Sequence, residues 1–463
     1  MQYRRFGKLD FQVSALGFGC MRLPILGGDS RQVDEPLAIE MIRYAIDHGV
    51  NYVDSAYGYH GGNSERVIGK ALQGGYRDKV KIATKLPPWN VKERADFDRL
   101  FAEQLGRLQT DHIDFYLLHN LCAPVWPRLR DLGVREWLDQ IKAEGRVGAV
   151  GFSFHDTYEV FTEIVDAYDG WTVAQIQYNF LNERVQAGTK GLKYAAKKGL
   201  AVVIMEPLLG GSLANPPDPV RTIWDRAPAE SSFGVPPSGG LPSSPRRTAA
   251  GWEGEALREG EAPAEPSAAG SGSAGASPSH PTPEDGSAGA SPSQDGSAGA
   301  SPSQDGSAGA SPSLRTPAEW ALQWLWNKPE VAVVLSGMTA MEQVVENVAS
   351  ADHSGIGSLW RDELKLFAKV RKRYESLYPV PCTRCGYCMP CPSGVNIPGI
   401  MQLFTDAVAY GGNHIELNRN LYRLLPEGAR AGACTACHTC EENCPQQIKV
   451  SEWMPRIREY FEK

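Results

Sequence analysis

Short apolar runs alternate with amphipathic stretches along most of the chain, and this alternation restricts the possible folds more than any other feature. The runs are rich in Val, Ile, Leu and Tyr and lack polar–apolar alternation, which is typical of strands buried on both faces. Seven of them lie at 15–20, 51–55, 79–85, 113–119, 147–153, 172–178 and 200–206. The eighth, VAVVLSG at 331–337, follows the helix-like segment TPAEWALQWLWN.

Eight strand–helix units predict an α/β fold in which the strands close into a (β/α)8 TIM barrel. Helix-like segments lie between the strands, for example at 36–49 and 134–145. Gly49, Gly145 and Gly199 stand where the C-caps of such helices would fall. A doubly wound sheet is the alternative, but no G-x-G-x-x-G motif follows the first strand.

A low-complexity insert interrupts the pattern after the seventh strand. Residues 231–313 contain four copies of a ten-residue unit, of which DGSAGASPSQ at 285–294 is one. The segment has few large apolar side chains and cannot offset an ordering entropy of about 1–2 kcal/mol per residue. We therefore expect a disordered insert, and a barrel domain built from residues 1–230 and 314–352.

Polar side chains close three consecutive strands of the predicted barrel. Asp54 and Tyr59 follow the second strand, Lys85 ends the third and His119 ends the fourth. Barrel enzymes keep their chemistry at these C-terminal strand ends. A polar group ending a buried apolar strand also needs a partner or a function, because its burial is otherwise costly.

The four residues together are suited to carbonyl reduction. A free Tyr has a pKa near 10 and is a poor acid at neutral pH, but a neighbouring ammonium lowers that pKa. We expect Lys85 to lower the pKa of Tyr59, and Asp54 to hold Lys85 charged and oriented. Tyr59 would then protonate a carbonyl oxygen that His119 orients through a hydrogen bond.

These motifs resemble the aldo-keto reductase family over residues 1–230 and 314–350. The resemblance rests on GVNYVDSAYGY, NSERVIGKAL, KIATK, IDFYLLH, GAVGFS, QIQYN and VLSGMTAMEQVVEN. It implies that the four strand-end residues are catalytic and that the substrate is a small-molecule aldehyde, ketone or quinone. It also implies that a nicotinamide nucleotide provides the hydride, in an extended pose without a Rossmann fold.

The resemblance assigns a nucleotide site along the barrel mouth. Ser153 and Gln175 would hydrogen bond the nicotinamide carboxamide. The segment 206–210 would border the pyrophosphate through Glu206, Leu208 and Gly210. The residues facing the adenosine end would be Gly337, Met338, Gln343 and Asn347. Members that prefer NADP often carry Lys or Arg at positions 337 and 343, which are uncharged here, so NADP and NAD both stay open.

Eight of the ten cysteines form two runs near the end of the chain. The first run is Cys382, Cys385, Cys388 and Cys391, and the second is Cys434, Cys437, Cys440 and Cys444. The second run matches C-x2-C-x2-C-x3-C-P, the bacterial [4Fe–4S] pattern, in which the fourth Cys ligates the other cluster. We therefore predict two clusters, one held by Cys382, Cys385, Cys388 and Cys444, the other by Cys434, Cys437, Cys440 and Cys391. The shorter last spacing of the first run leaves one cluster as an alternative, and zinc is another.

Helix-like segments surround both runs, so residues 353–463 are expected to form a small all-α iron–sulfur domain. Its long helical spacer resembles the α-helical ferredoxin domains of multi-subunit oxidoreductases, which implies electron transfer and a possible ferredoxin or other redox partner. Hydride transfer moves two electrons together whereas clusters pass them singly. A nucleotide-binding redox sensor or interaction subunit with structural clusters is therefore the alternative to an enzyme.

Charge and hydropathy exclude two other classes of function. The chain carries 47 Lys and Arg against 54 Asp and Glu, a net charge of −7, and has no basic stripe for nucleic acid. It has no apolar run of about 18 residues. The N-terminal MQYRRFGKLDFQ lacks the apolar core of a signal peptide. We expect no nucleic-acid partner, no membrane association and a cytoplasmic location.

Overall fold

The computed structural model describes residues 1–225 and 315–463, so the insert predicted at 231–313 lies outside the described residues. Two short strands begin the chain, β1 (Tyr3–Arg5) and β2 (Gln12–Ser14). The remaining strands are β3 (Leu16–Gly19), β4 (Tyr52–Asp54), β5 (Lys81–Leu86), β6 (Ile113–Leu121), β7 (Val147–Phe154), β8 (Trp171–Gln177), β9 (Ala201–Met205) and β10 (Val331–Gly337).

Strands β3 to β10 form a closed parallel barrel, which confirms the predicted fold class. Strand β10 pairs with β9 on one side and with β3 on the other, where Val334 lies opposite Leu16. Nearly every strand residue is buried, because one face packs inside the barrel and the other beneath the helices. The C-terminal strand ends therefore converge at one mouth, as the polar strand-end residues require.

Helices cover the outside of the barrel between successive strands. They are α1 (Glu35–Asp47), α2 (Asn63–Ala71), α3 (Ala95–Leu108), α4 (Val125–Asp131), α5 (Val134–Ala143), α6 (Tyr158–Asp166), α7 (Gly188–Lys197), α8 (Asp218–Asp225), α9 (Pro317–Trp326) and α10 (Met341–Asp352). Asp34 caps α1 by accepting a hydrogen bond from the Leu37 amide at 3.3 Å. Gly49 and Gly145 follow their helices with φ of +96° and +71°, as predicted for C-caps.

The β1–β2 hairpin closes the N-terminal end of the barrel. Phe6 and Val13 belong to a buried cluster with the inward-facing Tyr52 and Phe115. The rings of Phe6 and Phe115 lie 4.7 Å apart. The opposite mouth is thus the open end of the barrel.

The C-terminal part of the chain is helical and contributes to two hydrophobic cores. Its helices are α11 (Arg361–Leu377), α12 (Ile397–Tyr410), α13 (Asn413–Leu424), α14 (Thr439–Glu442) and α15 (Val450–Glu462). Helices α12, α13 and α15 share a small core with the cysteine segments. In helix α11, Phe367, Val370 and Tyr374 pack into the barrel core.

Among residues 1–225 and 315–463, none of the helices combines the length and the hydrophobicity that crossing a bilayer requires.

Candidate active site and cysteine cavities

A cavity of about 370 Å³ opens at the C-terminal mouth of the barrel, and all four predicted catalytic residues line it. Asp54 ends β4, Lys85 lies near the end of β5, His119 lies in β6 and Tyr59 lies in the tight turn after β4. This volume falls within the roughly 300–1,000 Å³ of common small-molecule pockets. The cavity therefore has the size of a small-molecule binding site.

Lys85 and Asp54 form a buried ion pair beneath the cavity. Lys85 Nζ lies 2.8 and 2.9 Å from the two carboxylate oxygens of Asp54 and 2.6 Å from the carbonyl oxygen of Ser55. The side chains are 1% and 4% exposed. Burial raises the pKa of Asp54, and the Lys85 ammonium opposes that rise. The three contacts use all three donors of the ammonium and fix its position.

Tyr59 presents its ring to this pair, with Lys85 Nζ 5.2 Å from the ring centroid. Burial raises the pKa of Tyr59 well above 10, and the neighbouring Tyr387 and Asp54 raise it further. The sequence-based expectation that Lys85 lowers this pKa is therefore wrong for the structure as described. The physical reason is that Asp54 neutralises the charge of the Lys85 ammonium, while Asp54 and Ser55 accept all of its N–H donors. Tyr59 remains a protonated phenol at neutral pH.

His119 contacts a side chain from the cysteine-rich part of the chain. Its Nε2 lies 2.9 Å from the hydroxyl of Tyr387, and its ring makes an edge contact with Tyr59 at 5.9 Å. Burial lowers the pKa of His119 well below 6.5, and the positive charge of Lys85 lowers it further. The imidazole is therefore neutral at physiological pH.

Ser153 and Gln175 lie opposite each other on β7 and β8 and line the cavity. The Ser153 hydroxyl oxygen accepts a hydrogen bond from the Asn120 amide at 2.8 Å, which leaves its O–H free to donate. Gln175 is 1% exposed, and its Oε1 has no hydrogen-bond partner among the described residues. One free donor and one free acceptor thus face the cavity side by side.

The other predicted nucleotide residues fall into two groups. Those that line the cavity are Glu206, Leu208, Gly210, Gly337 and Gln343. Met338 and Asn347 lie behind the cavity wall, where Met338 packs into the barrel core. Asn347 donates to the Ser336 hydroxyl at 3.1 Å. Ser336 lines the cavity, so Asn347 supports the wall from behind.

Glu206 is an unusual member of this wall. Its backbone has φ of +57°, and its Oε2 is buried without a partner among the described residues. Burial raises the pKa of Glu206, while the positive charges of Arg22 and Arg384 lower it. Both arginines also line the cavity. Positive charge is therefore available on the side where the pyrophosphate is expected.

The eight clustered cysteines surround two separate cavities. Cys382, Cys385, Cys388 and Cys444 line one of them, and we call these four the first cysteine set. Cys391, Cys434, Cys437 and Cys440 line the other, and we call these the second cysteine set. The two sets coincide with the groups expected from the sequence. No three His, Cys, Asp or Glu side chains in the described residues converge on a single ion; the thiolates of a four-iron cluster bind different corners and stand farther apart.

The first cysteine set adjoins the barrel mouth. Thr383, Arg384 and Cys385 line both the active-site cavity and the cavity of this set, as do Pro445 and Gln446. Arg384 donates to the carbonyl oxygen of Gly210 at 2.5 Å. Sequence reasoning missed these wall residues and Tyr387, because no periodicity or spacing indicates which surface of a second domain covers the barrel.

Comparisons with known proteins divide the chain in the same way. Residues 15–232 match the family model described as the aldo/keto reductase family, and residues 381–449 match the 4Fe-4S dicluster domain. A parallel barrel with a polar cluster at its C-terminal mouth is the architecture used by barrel enzymes. The barrel of this chain is thus similar to the aldo/keto reductase family, and the segment that follows it is similar to a 4Fe-4S dicluster domain.

Individual relatives match part of the chain. A probable aldo-keto reductase 1 from Glycine max is 32% identical over 157 residues, which is 32% of this chain and 44% of that protein. The NADH-specific methylglyoxal reductase of Escherichia coli strain K12 is 26% identical over 235 residues, 45% of this chain and 67% of that protein. The chain thus spans about half to two thirds of the length of these curated relatives.

Solved structures share the fold. The holo form of aldo-keto reductase AKR11C1 from Bacillus halodurans superposes with a TM-score of 0.52 at 22% identity, covering 80% of this chain and 96% of that one. An aldo-keto reductase from Klebsiella pneumoniae in complex with NADPH gives a TM-score of 0.50 at 21% identity, covering 80% and 95%. At these identities the likeness shows the fold alone.

Proposed function

We propose that this chain is an oxidoreductase that reduces the carbonyl group of a small aldehyde, ketone or quinone with a nicotinamide nucleotide, and that its 4Fe–4S domain transfers electrons. The observation that carries the proposal is the convergence of Asp54, Tyr59, Lys85 and His119 on one cavity at the barrel mouth. The names of the relatives support it, since one is a methylglyoxal reductase specific for NADH.

The free polar atoms of the cavity suit a nicotinamide nucleotide. The unpartnered Gln175 Oε1 accepts, and the free Ser153 O–H donates, which is the pattern that a carboxamide needs. Arg22 and Arg384 provide positive charge for the phosphates. When bound, the nucleotide supplies the hydride that the carbonyl carbon receives. NAD and NADP both suit this arrangement, because no cationic side chain stands at 337 or 343.

Tyr59 is the proposed proton donor. Its raised pKa keeps the phenol protonated at neutral pH, so a proton is available when negative charge develops on the carbonyl oxygen. Lys85, which Asp54 holds in place, lies beside the Tyr59 ring and helps to fix its position. The neutral His119 orients the substrate oxygen rather than protonating it.

The two cysteine sets are the proposed ligands of two [4Fe–4S] clusters in the domain that we assign to residues 353–463. Four thiols around each of two cavities match the ligand number of such clusters. Cys437 of the second cysteine set is exposed, so a one-electron redox partner such as ferredoxin would approach there. Of the two sets, the first adjoins the barrel cavity.

The decisive experiment compares the wild type with Tyr59→Phe in anaerobically purified protein. We expect the wild type to oxidise NADH or NADPH in the presence of at least one member of a panel of aldehydes, ketones and quinones. Loss of the phenolic proton should lower kcat by about 10²–10⁴-fold, while nucleotide binding, followed by fluorescence, persists.

Tyr57→Phe is the matched control. Its phenol donates to Glu103 at 2.7 Å outside the cavity, so its rate should stay close to that of the wild type. A wild type that binds nucleotide but turns over no carbonyl compound would instead favour a redox sensor with structural clusters.

A further inference from the structure

Tyr387 lies inside the barrel cavity although it belongs to the first cysteine run. It stands between Cys385 and Cys388 of the first cysteine set. Its hydroxyl lies 2.9 Å from His119 Nε2, and its ring makes edge contacts with Trp89 and His155 at 6.4 and 6.1 Å. Three rings from the barrel therefore enclose one phenol from the other domain.

This hydrogen bond is important for the orientation of His119. The imidazole is buried, and its other nitrogen, Nδ1, has no partner among the described residues. The contact with Tyr387 is thus the hydrogen bond that selects the ring orientation within the described part of the chain. Packing against Trp89 at 5.0 Å limits the remaining freedom of the ring but does not select which nitrogen faces the cavity.

The segment that carries Tyr387 is anchored to the barrel by two hydrogen bonds just before the tyrosine. Arg22 donates to the carbonyl oxygen of Thr383 at 3.2 Å, and Arg384 donates to Gly210. Cys385 lines the active-site cavity and the cavity of the first cysteine set. Ligation of Cys385 and Cys388 would hold the short turn that places the phenol.

We propose that Tyr387 is a positioning residue of the barrel site, which fixes the His119 imidazole and is itself held in place by the first cysteine set. The proposal rests on the proposed carbonyl reduction, in which His119 orients the substrate oxygen. It makes the cysteine loop a structural part of the reductase site, so the site is complete only when both domains are folded.

The test is Tyr387→Phe in the full-length, anaerobically purified protein, which keeps the ring and removes the hydroxyl. We expect kcat with NADPH or NADH and a reactive carbonyl compound to fall about tenfold, while KM changes less than twofold. In protein labelled with ¹⁵N-histidine, the Nε2 resonance of His119, assigned with His119→Asn, should shift because its hydrogen bond is lost.

Tyr410→Phe is the matched control. Its hydroxyl donates to the carbonyl oxygen of Asn215 at 2.9 Å, so the variant also removes one hydrogen bond between the C-terminal helices and the barrel, but away from the cavity. It should leave both kcat and the His119 resonance unchanged. An equal loss in the two variants would show that only domain contact matters and would overturn the proposal.

Two further outcomes contradict it. An unchanged His119 resonance in Tyr387→Phe would show that the hydroxyl does not hold the imidazole. A rate that rises in this variant would show that Tyr387 obstructs the substrate instead. If the wild type turns over no carbonyl compound, the proposed function fails, but the resonance still decides whether Tyr387 positions His119.

Discussion

At the scale of single residues, burial keeps Tyr59 a neutral phenol, and the neighbouring Lys85–Asp54 pair does not reverse this. Asp54 and Ser55 accept all three N–H donors of the ammonium. Its charge is therefore neutralised by Asp54 and not by the Tyr59 phenol. Replacing either partner leaves an uncompensated buried charge, which is far more costly than losing an exposed ion pair.

We expect Lys85→Met to lower the free energy of unfolding of the barrel by about 3–5 kcal/mol, measured by chemical denaturation. Lys81→Met is the control, because Lys81 pairs with Asp114 at 2.8 Å but its side chain is 46% exposed. That variant should cost at most about 1 kcal/mol. Equal losses of unfolding free energy in the two variants would mean that burial does not make the Lys85–Asp54 pair more stabilising than the exposed pair.

Buried histidines predict the pH dependence of stability. Burial lowers the pKa of His155 from 6.5 to about 4, and it lowers the pKa values of His60 and His119 as well. Between pH 6.5 and 4 the unfolded chain binds protons that the folded chain does not, so stability falls as the pH falls. His155 accounts for at most about 3 kcal/mol of this loss.

The measurement is the melting temperature from pH 7.5 to 5. His155→Gln should flatten the decrease, while replacing the exposed His48 by Gln should not. A melting temperature that is constant over this range would contradict the assigned neutral state of the buried histidines.

At the scale of elements, the turn after β9 determines how closely the cysteine loop approaches the barrel. Gly210 has φ of +65°, and a Cβ atom there would lie 2.7 Å from the carbonyl oxygen of Thr383. Gly211 has φ of +95°, but a Cβ atom there would meet nothing within 4 Å. Substitutions at the two glycines can therefore be compared: both introduce backbone strain, but only the one at Gly210 disturbs the contact between the domains.

We expect Gly210→Ala to increase hydrogen exchange in segment 383–388 and to lower turnover several-fold, because the added methyl group displaces the loop. Gly211→Ala carries only the strain of a positive φ, about 1 kcal/mol, and should leave exchange in that segment unchanged. Similar exchange in both variants would show that the loop does not depend on this close approach.

The strands of the barrel were predictable, but the hairpin that closes it was not. Runs such as IDFYLLH and VAVVLSG are apolar throughout because both faces of the strand are buried. Strands β1 and β2 have only three residues each, and Arg4 and Arg5 interrupt any apolar pattern. Their place depends on Phe6 filling the barrel end, a tertiary contact that no local pattern reveals.

At the scale of the whole molecule, sequence reasoning reached the part of the site that the barrel provides and missed the part that the second domain provides. Asp54, Lys85 and His119 were predictable because parallel strands end at one mouth. Tyr387 was not, because its spacing within the cysteine run indicates only a cluster loop. Its role depends on which surface of that domain covers the mouth.

Metal content tests the two cysteine sets. We expect about eight iron and eight sulfide atoms per chain after anaerobic purification, as two four-iron clusters require. Cys388→Ser should remove about half of the iron. Cys122→Ser is the control, since Cys122 belongs to neither set, and its iron content should be unchanged. Four iron atoms in the wild type would indicate a single cluster.

The docking of the cysteine loop over the mouth has a consequence for how the protein matures in a cell. A ribosome completes every barrel strand long before it reaches Pro445 and Gln446, which form part of the cavity wall. A nascent barrel can therefore fold before the C-terminal residues that complete the wall of its cavity have been synthesised. If the first cysteine set holds that side in place, iron and sulfide supply governs when newly made protein becomes competent, and starvation for either would leave folded but idle barrels.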